Sequence, residues 1–166
     1  MAEPVALTVI ENPDFPHSEL AATNIIKHIM AGGYEKLERA LDLPPIDIAR
    51  FEFPLPCGRA DLVLFHNDGT VTVIELKGPG DDRKILAGIG QVTMYAVQIG
   101  YARTARCIRK ILAAPVKGED SEHLAEACAA AGVRFVPLGT PEEHAEIWSD
   151  AERRMGRTMR SYLRQP

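Results

Sequence analysis

Aromatic residues make up only 6% of the 166-residue chain, with a single tryptophan, and cysteine occurs only three times. Cys57, Cys107 and Cys128 are odd in number and lack metal-ligand spacing, which excludes a disulfide framework and a thiolate metal cluster. They read as free thiols, and Cys57 as a packing residue, because no histidine stands beside it to make it a nucleophile. No apolar run approaches the roughly 20 residues of a membrane span. The opening Met1-Ala2-Glu3-Pro4 lacks the basic and apolar regions of a signal peptide, so a cytoplasmic location with no membrane partner is expected. Gly-x-Ser-x-Gly and paired-histidine metal motifs are missing. Gly78-Pro79-Gly80 and Gly88-Ile89-Gly90 complete neither a dinucleotide fingerprint nor a P-loop. The five histidines are scattered, and none is assigned to catalysis.

What remains is ordinary for a globular protein: 46% hydrophobic and 25% charged residues. The length suits one domain over residues 1–166, with a core at about 18–138 and a C-terminal helix at about 141–164. The net charge of −4 argues against a large nucleic-acid footprint. Its distribution qualifies that, since residues 1–100 carry 14 acidic and 8 basic side chains whereas 101–166 carry 9 and 11.

Periodicity predicts helix over 18–42 in two pieces broken at Gly32-Gly33, with Ser18 as N-cap and Pro44-Pro45 as terminator. Strands are predicted at 47–55, 60–66, 70–77, 108–114 and 133–138, and helices at 83–99 and 121–131. The order implies a layered α/β/α domain with a mixed sheet of about five strands.

Asp61, Glu75 and Lys77 fall on the two strands flanking Asn67-Asp68-Gly69, and the turn type decides whether they meet. A two-residue Asp68-Gly69 loop places Asp61 and Glu75 on opposite faces, because side chains alternate along a strand. A three-residue loop closed by Gly69 in the left-handed region pairs His66 with Thr70 and sets Asp61 opposite Glu75. Their Cβ atoms would then lie about 5 Å apart, within reach of one divalent cation. Joint action of the carboxylates therefore predicts the three-residue turn. Lys77 shares their face with Val63, Phe65, Val71 and Val73, while Leu62, Leu64, Ile74 and Leu76 line the other. Charges at the end of so apolar a sheet are costly unless paired or bound to metal. The competing reading is structural: Glu75 paired with Lys77 or Arg59, and Asp61 capping a turn.

Gln91 and Tyr95, at i and i+4, share one face of the helix after this hairpin. Near the C-terminus Arg153, Arg157, Arg160 and Arg164 form a basic stripe beside the apolar Trp148, Ala151, Met155, Met159 and Tyr162. Docking by the apolar side and contact with a phosphate backbone are both open. Arg103, Arg106, Arg109 and Lys110 make a second, weaker basic patch.

The combination Gly58-Arg59-x-Asp61, Glu75-x-Lys77, Gln91-x-x-x-Tyr95 resembles the PD-(D/E)XK nuclease superfamily. It is nearest the branch holding RecB-type and NucS-type enzymes with a Gln-x-x-x-Tyr motif. The resemblance extends through the runs Lys110–Pro115 and Val133–Pro137 and covers about residues 50–138. It implies metal-dependent hydrolysis of phosphodiester bonds in nucleic acid, with DNA the expected polymer. Asp61 and Glu75, joined by the Leu76 carbonyl and a helical glutamate, would hold Mg²⁺ or Mn²⁺. Glu19 matches that glutamate best by placement, with Glu35 and Glu38 as rivals. Lys77 would orient or deprotonate the attacking water, Gln91 and Tyr95 would position the phosphate or Lys77, and Arg59 with the four C-terminal arginines would contact the strand. Residues 50–56 lack the histidine of some RecB-type members, and the separate DNA-binding domain of NucS-type enzymes is missing. A homodimer or a DNA-targeting protein partner is therefore expected to supply affinity. Two alternatives stand: a nuclease-fold module that binds nucleic acid or protein without cutting it, and an unrelated α/β domain with coincidental charges.

Overall fold

A computed structural model describes residues 20–140 and 142–144. Helix α1 (Ala21–Met30) and helix α2 (Tyr34–Leu41) part at Gly32-Gly33, where Gly33 takes a φ of +105°. The expected Ser18 cap lies outside the described residues, and α1 follows Leu20 with no side-chain cap. The diproline leads directly into β1 (Ile46–Leu55), whose first N–H donates to Glu38 Oε1 at 2.6 Å. Then come β2 (Gly58–His66) and β3 (Val71–Leu76). Helix α3 (Asp82–Ala102) is capped by the Asp81 carboxylate on the Lys84 N–H at 3.0 Å. Strand β4 (Ile108–Ala114), helix α4 (Glu122–Ala130) and the short β5 (Arg134–Pro137) complete the order.

The sheet runs β1-β2-β3-β4-β5. Its first three strands form an antiparallel meander, and β4 and β5 lie parallel to β3, each reached through a helix as parallel connections require. Val63, Val71 and Val73 pack with Ile85, Val92 and Ile99 of α3 on one face. On the other, Leu62, Leu64 and Ile74 meet Ala22 and Ile26 of α1 and Leu37 of α2. This is the layered α/β/α arrangement that strands apolar on both sides require.

The turn between β2 and β3 is the three-residue one. The His66 N–H donates to the Thr70 carbonyl at 3.0 Å, and Gly69, at φ +80°, donates to the His66 carbonyl at 3.1 Å. The Asp68 carboxylate accepts the Thr70 N–H at 2.9 Å and hydroxyl at 2.6 Å, and these bonds hold it below the usual carboxylate range. The pairs Leu62–Ile74, Val63–Val73, Leu64–Thr72 and Phe65–Val71 follow from that loop length.

Three details depart from expectation. Cys57 is exposed in the turn between β1 and β2, its N–H donating to Gln98 Oε1 at 3.3 Å, so it is not a packing residue: a tight turn leaves nothing over its side chain. All three thiols are free. Helix α3 runs to Ala102, beyond the expected end at 99, passing through Gly100 to a C-cap at Arg103. Glu52, in mid-β1, adopts a φ of +50°, a conformation costing a non-glycine residue about 1–2 kcal/mol. There the strand changes face: Phe51 joins the α1–α2 side, whereas Phe53 packs on the α3 side, 5.9 Å from Phe65. The helix expected over 141–164 lies outside the described residues, apart from a 3-10 turn at Glu142–His144.

Candidate active site

Asp61 near the start of β2 and Glu75 near the end of β3 approach one another because the hairpin register sets them opposite. The backbone ladder itself stops at Leu62–Ile74. One step further, Asp61 Oδ2 accepts the Leu76 N–H at 2.6 Å, so the carboxylate substitutes for a missing strand carbonyl. It does not cap a turn. Glu75, only 4% exposed, lies within hydrogen-bonding reach of Asp61.

Lys77 follows the last residue of β3, its N–H held by the Ala113 carbonyl at 2.9 Å. Its Nζ reaches back 2.8 Å to Glu75 Oε1 and also donates to Gln91 Oε1 on α3. The ion pair of the structural reading therefore exists, but it occupies only one of Glu75's oxygens. Glu75 Oε2 is buried with no hydrogen-bond partner. Burial, then the neighbouring Asp61 charge, pushes the Glu75 carboxyl up to about 7, against the pull of Lys77. Burial likewise raises Asp61, with the Leu76 N–H opposing.

Tyr95 faces the start of β2. It is buried with its hydroxyl against Gly58, where a Cβ would come within 3.2 Å of Oη. Burial raises its phenol pKa, followed by the charge of Glu75, with a hydrogen bond to Gln91 opposing. Gly58 itself has a φ of +148°, so the glycine of the Gly-Arg-x-Asp run is required both by its backbone and by this close approach. Arg59 is exposed and faces Glu52 at 3.9 Å, not Glu75.

Gly88 escaped the sequence reading as a site residue, although an interior helix glycine signals close packing. A Cβ there would lie 2.5 Å from Leu112 Cδ1, 3.0 Å from Lys77 Cε and 3.3 Å from Glu75 Cγ. Only hydrogen at this position lets α3 settle onto the lysine and the carboxylate. Gly88→Val is expected to cost about 1–3 kcal/mol by overpacking, measured by urea unfolding, and to displace Lys77 from Gln91.

The chemistry of the site suits a hard divalent cation. Such ions take carboxylate oxygens, and an unpartnered buried oxygen beside a second carboxylate is costly without positive charge nearby. Among the described residues no third His, Cys, Asp or Glu gathers with these two to complete a metal cluster. Of the glutamates considered for that place, Glu38 is taken by the Ile46 N–H, Glu35 is exposed with its carboxylate over Gly33, and Glu19 lies outside the described residues. Arg153, Arg157, Arg160 and Arg164 lie outside them too.

No family model matches the chain. No curated protein matches it either. Among solved structures it is similar to a repair endonuclease from Pyrococcus abyssi, with a TM-score of 0.46 and 24% identity over 69% of this chain. The match covers 47% of that protein, so the chain spans about half the length of the endonuclease.

Proposed function

We propose that this chain is a divalent-metal-dependent nuclease of the PD-(D/E)XK type, hydrolysing phosphodiester bonds with DNA as the expected polymer. The observation that supports this reading most is Glu75 Oε2, buried and unpartnered beside a second carboxylate and a lysine. A purely structural ion pair accounts for Oε1 alone and leaves two carboxylates crowded together at a net cost.

Asp61 and Glu75 are the side chains that would hold Mg²⁺ or Mn²⁺, with the Leu76 carbonyl and Glu19 as further proposed donors. When bound, the ion supplies Lewis-acid polarisation of the phosphate and a more acidic water. Lys77 Nζ, steadied by Glu75 and Gln91, orients or deprotonates the attacking water and stabilises charge developing on the phosphate oxygens. Tyr95 acts at one remove: packed on Gly58, it ties α3 to the start of β2 and so fixes Asp61.

Arg59 and the four C-terminal arginines are proposed strand contacts, and a homodimer or a DNA-targeting protein partner is proposed to add affinity. A cytoplasmic location belongs to the same reading. No helix among the described residues is long and apolar enough to cross a membrane.

Incubation with duplex, single-stranded, branched and mismatched DNA and with RNA, in Mg²⁺, Mn²⁺ or EDTA, tests the proposal. Cleavage in either metal and none in EDTA is the expected result. Binding without cleavage in both metals would instead favour the non-cutting module, and the absence of both would sink the two readings together.

A further inference from the structure

Phe65, His66, Gly69, Thr70, Val71, Arg103, Thr104 and Ala105 line a cavity of about 350 Å³, enough for a sugar–phosphate unit. It opens on the α3 face of the sheet, at the C-terminal end of that helix, whereas Gln91, which meets Lys77, stands at the helix middle. Gln91 and Arg103 are separated by about 18 Å of helix axis, at 1.5 Å per residue.

The Arg103 guanidinium lies over two aromatic rings, with Cζ 4.8 Å from the Phe65 centroid and 5.9 Å from that of Phe53. Stacking of this kind fixes the plane of the group and leaves its N–H edge free for a phosphate. Arg106 carries its stem across Gly69, its Cδ 3.6 Å from where a Cβ would stand. Arg109 donates to the Thr70 hydroxyl at 2.6 Å, and that hydroxyl donates to Asp68, so the Asp68 carboxylate is already engaged. Among the described residues neither Arg103 nor Arg106 has an acidic partner. These exposed guanidinium groups give the concavity a local positive field that attracts anions despite the chain's net charge of −4.

We propose that this cavity, with Arg103 held flat on Phe53 and Phe65 and Arg106 at its rim, binds a backbone phosphate of the nucleic-acid strand cut at Lys77. The subsite rests on the nuclease reading and deepens it. The bound phosphate would lie a few nucleotides from the scissile one along the strand. It sets which stretch of substrate is presented and supplies affinity distant from the chemistry. A free nucleotide offers the same phosphate chemistry, and the test separates the two.

The full chain is titrated in EDTA, where binding is read without turnover, using fluorescently labelled DNA of each form in the cleavage assay. Arg103→Gln and Thr104→Glu are each expected to weaken binding five- to tenfold. Arg103→Gln should also reduce the slope of log affinity against log salt by about one unit, the share of a single phosphate contact. Arg103→Lys, which keeps the charge, should retain that slope, so lost packing on the phenylalanines is distinguished from lost charge. Thermal melts confirm folding, and Thr104 is exposed, so Thr104→Glu does not disturb the core. Single-turnover cleavage at subsaturating DNA should fall in step with the lost affinity in Arg103→Gln and Thr104→Glu. Affinity and slope that do not respond to Arg103→Gln or Thr104→Glu overturn the proposal. So does binding of a mononucleotide, read on the Gly69 and Thr104 amides, with no effect of these variants on DNA. Cleavage that persists with unaltered affinity rejects the subsite alone. Arg103-dependent DNA binding in a protein that cuts nothing rejects the nuclease reading and leaves the subsite standing.

Discussion

Lys77→Ala is expected to slow cleavage a hundred- to thousandfold at saturating metal and DNA, about 2.7–4 kcal/mol of barrier. The charge of the lysine acts on both carboxylates, and its amine is held by two acceptors from different elements, Glu75 on β3 and Gln91 on α3. An amine fixed in this way needs little reorganisation when negative charge develops beside it. Its removal leaves Glu75 with neither oxygen paired, so the metal-free variant should also melt earlier than wild type. Single-turnover rates with added Mg²⁺, beside a circular dichroism melt, distinguish the two losses. A Lys77→Ala protein cutting at the wild-type rate would refute the assignment.

Glu75→Gln should abolish cleavage and yet stabilise the metal-free protein at pH 8. The Glu75 carboxyl is raised from 4.5 to about 7 by burial and by Asp61. Between those values the folded chain keeps a proton that the unfolded chain releases. Native stability is thus full below about pH 4.5 and declines as pH rises through 7. Glutamine has no proton to lose over that window. Wild type and variant should melt together near pH 4.5, and by pH 8 the variant should gain on the order of 1–3 kcal/mol, several degrees in Tm. Added Mn²⁺ should reverse the order by stabilising wild type alone. Melts that run parallel from pH 4.5 to 8 would remove the charge-strain account of this carboxylate.

The hairpin was legible because its information is local. Asn67-Asp68-Gly69 admits a left-handed third residue, and a period of two carries the consequence to Asp61 and Glu75, each seven residues away from the turn's centre. The two apolar faces could be read in the same way. Contacts that depend on how α3 lies across the sheet could not. Nothing local says that Gln91 reaches the lysine while Tyr95, one turn later, packs its ring against Gly58, or that Gly88 admits the helix to the site. Asp61's capture of the Leu76 N–H was hidden for another reason: it arises where the regular ladder fails, and strand patterns describe only where it continues. Glu52 shows the limit most plainly, since its side chain gives no hint of a left-handed backbone.

That residue has a consequence for how these molecules behave in a crowd. Strand β1 forms one rim of the sheet, and a straight ten-residue rim would invite another chain to add itself, the first event in fibril growth. The twist at Glu52, followed two positions later by the N–H-less Pro54, leaves an intruding strand no unbroken row of donors and acceptors. Concentrated solutions of the folded protein should accordingly resist seeding through this margin.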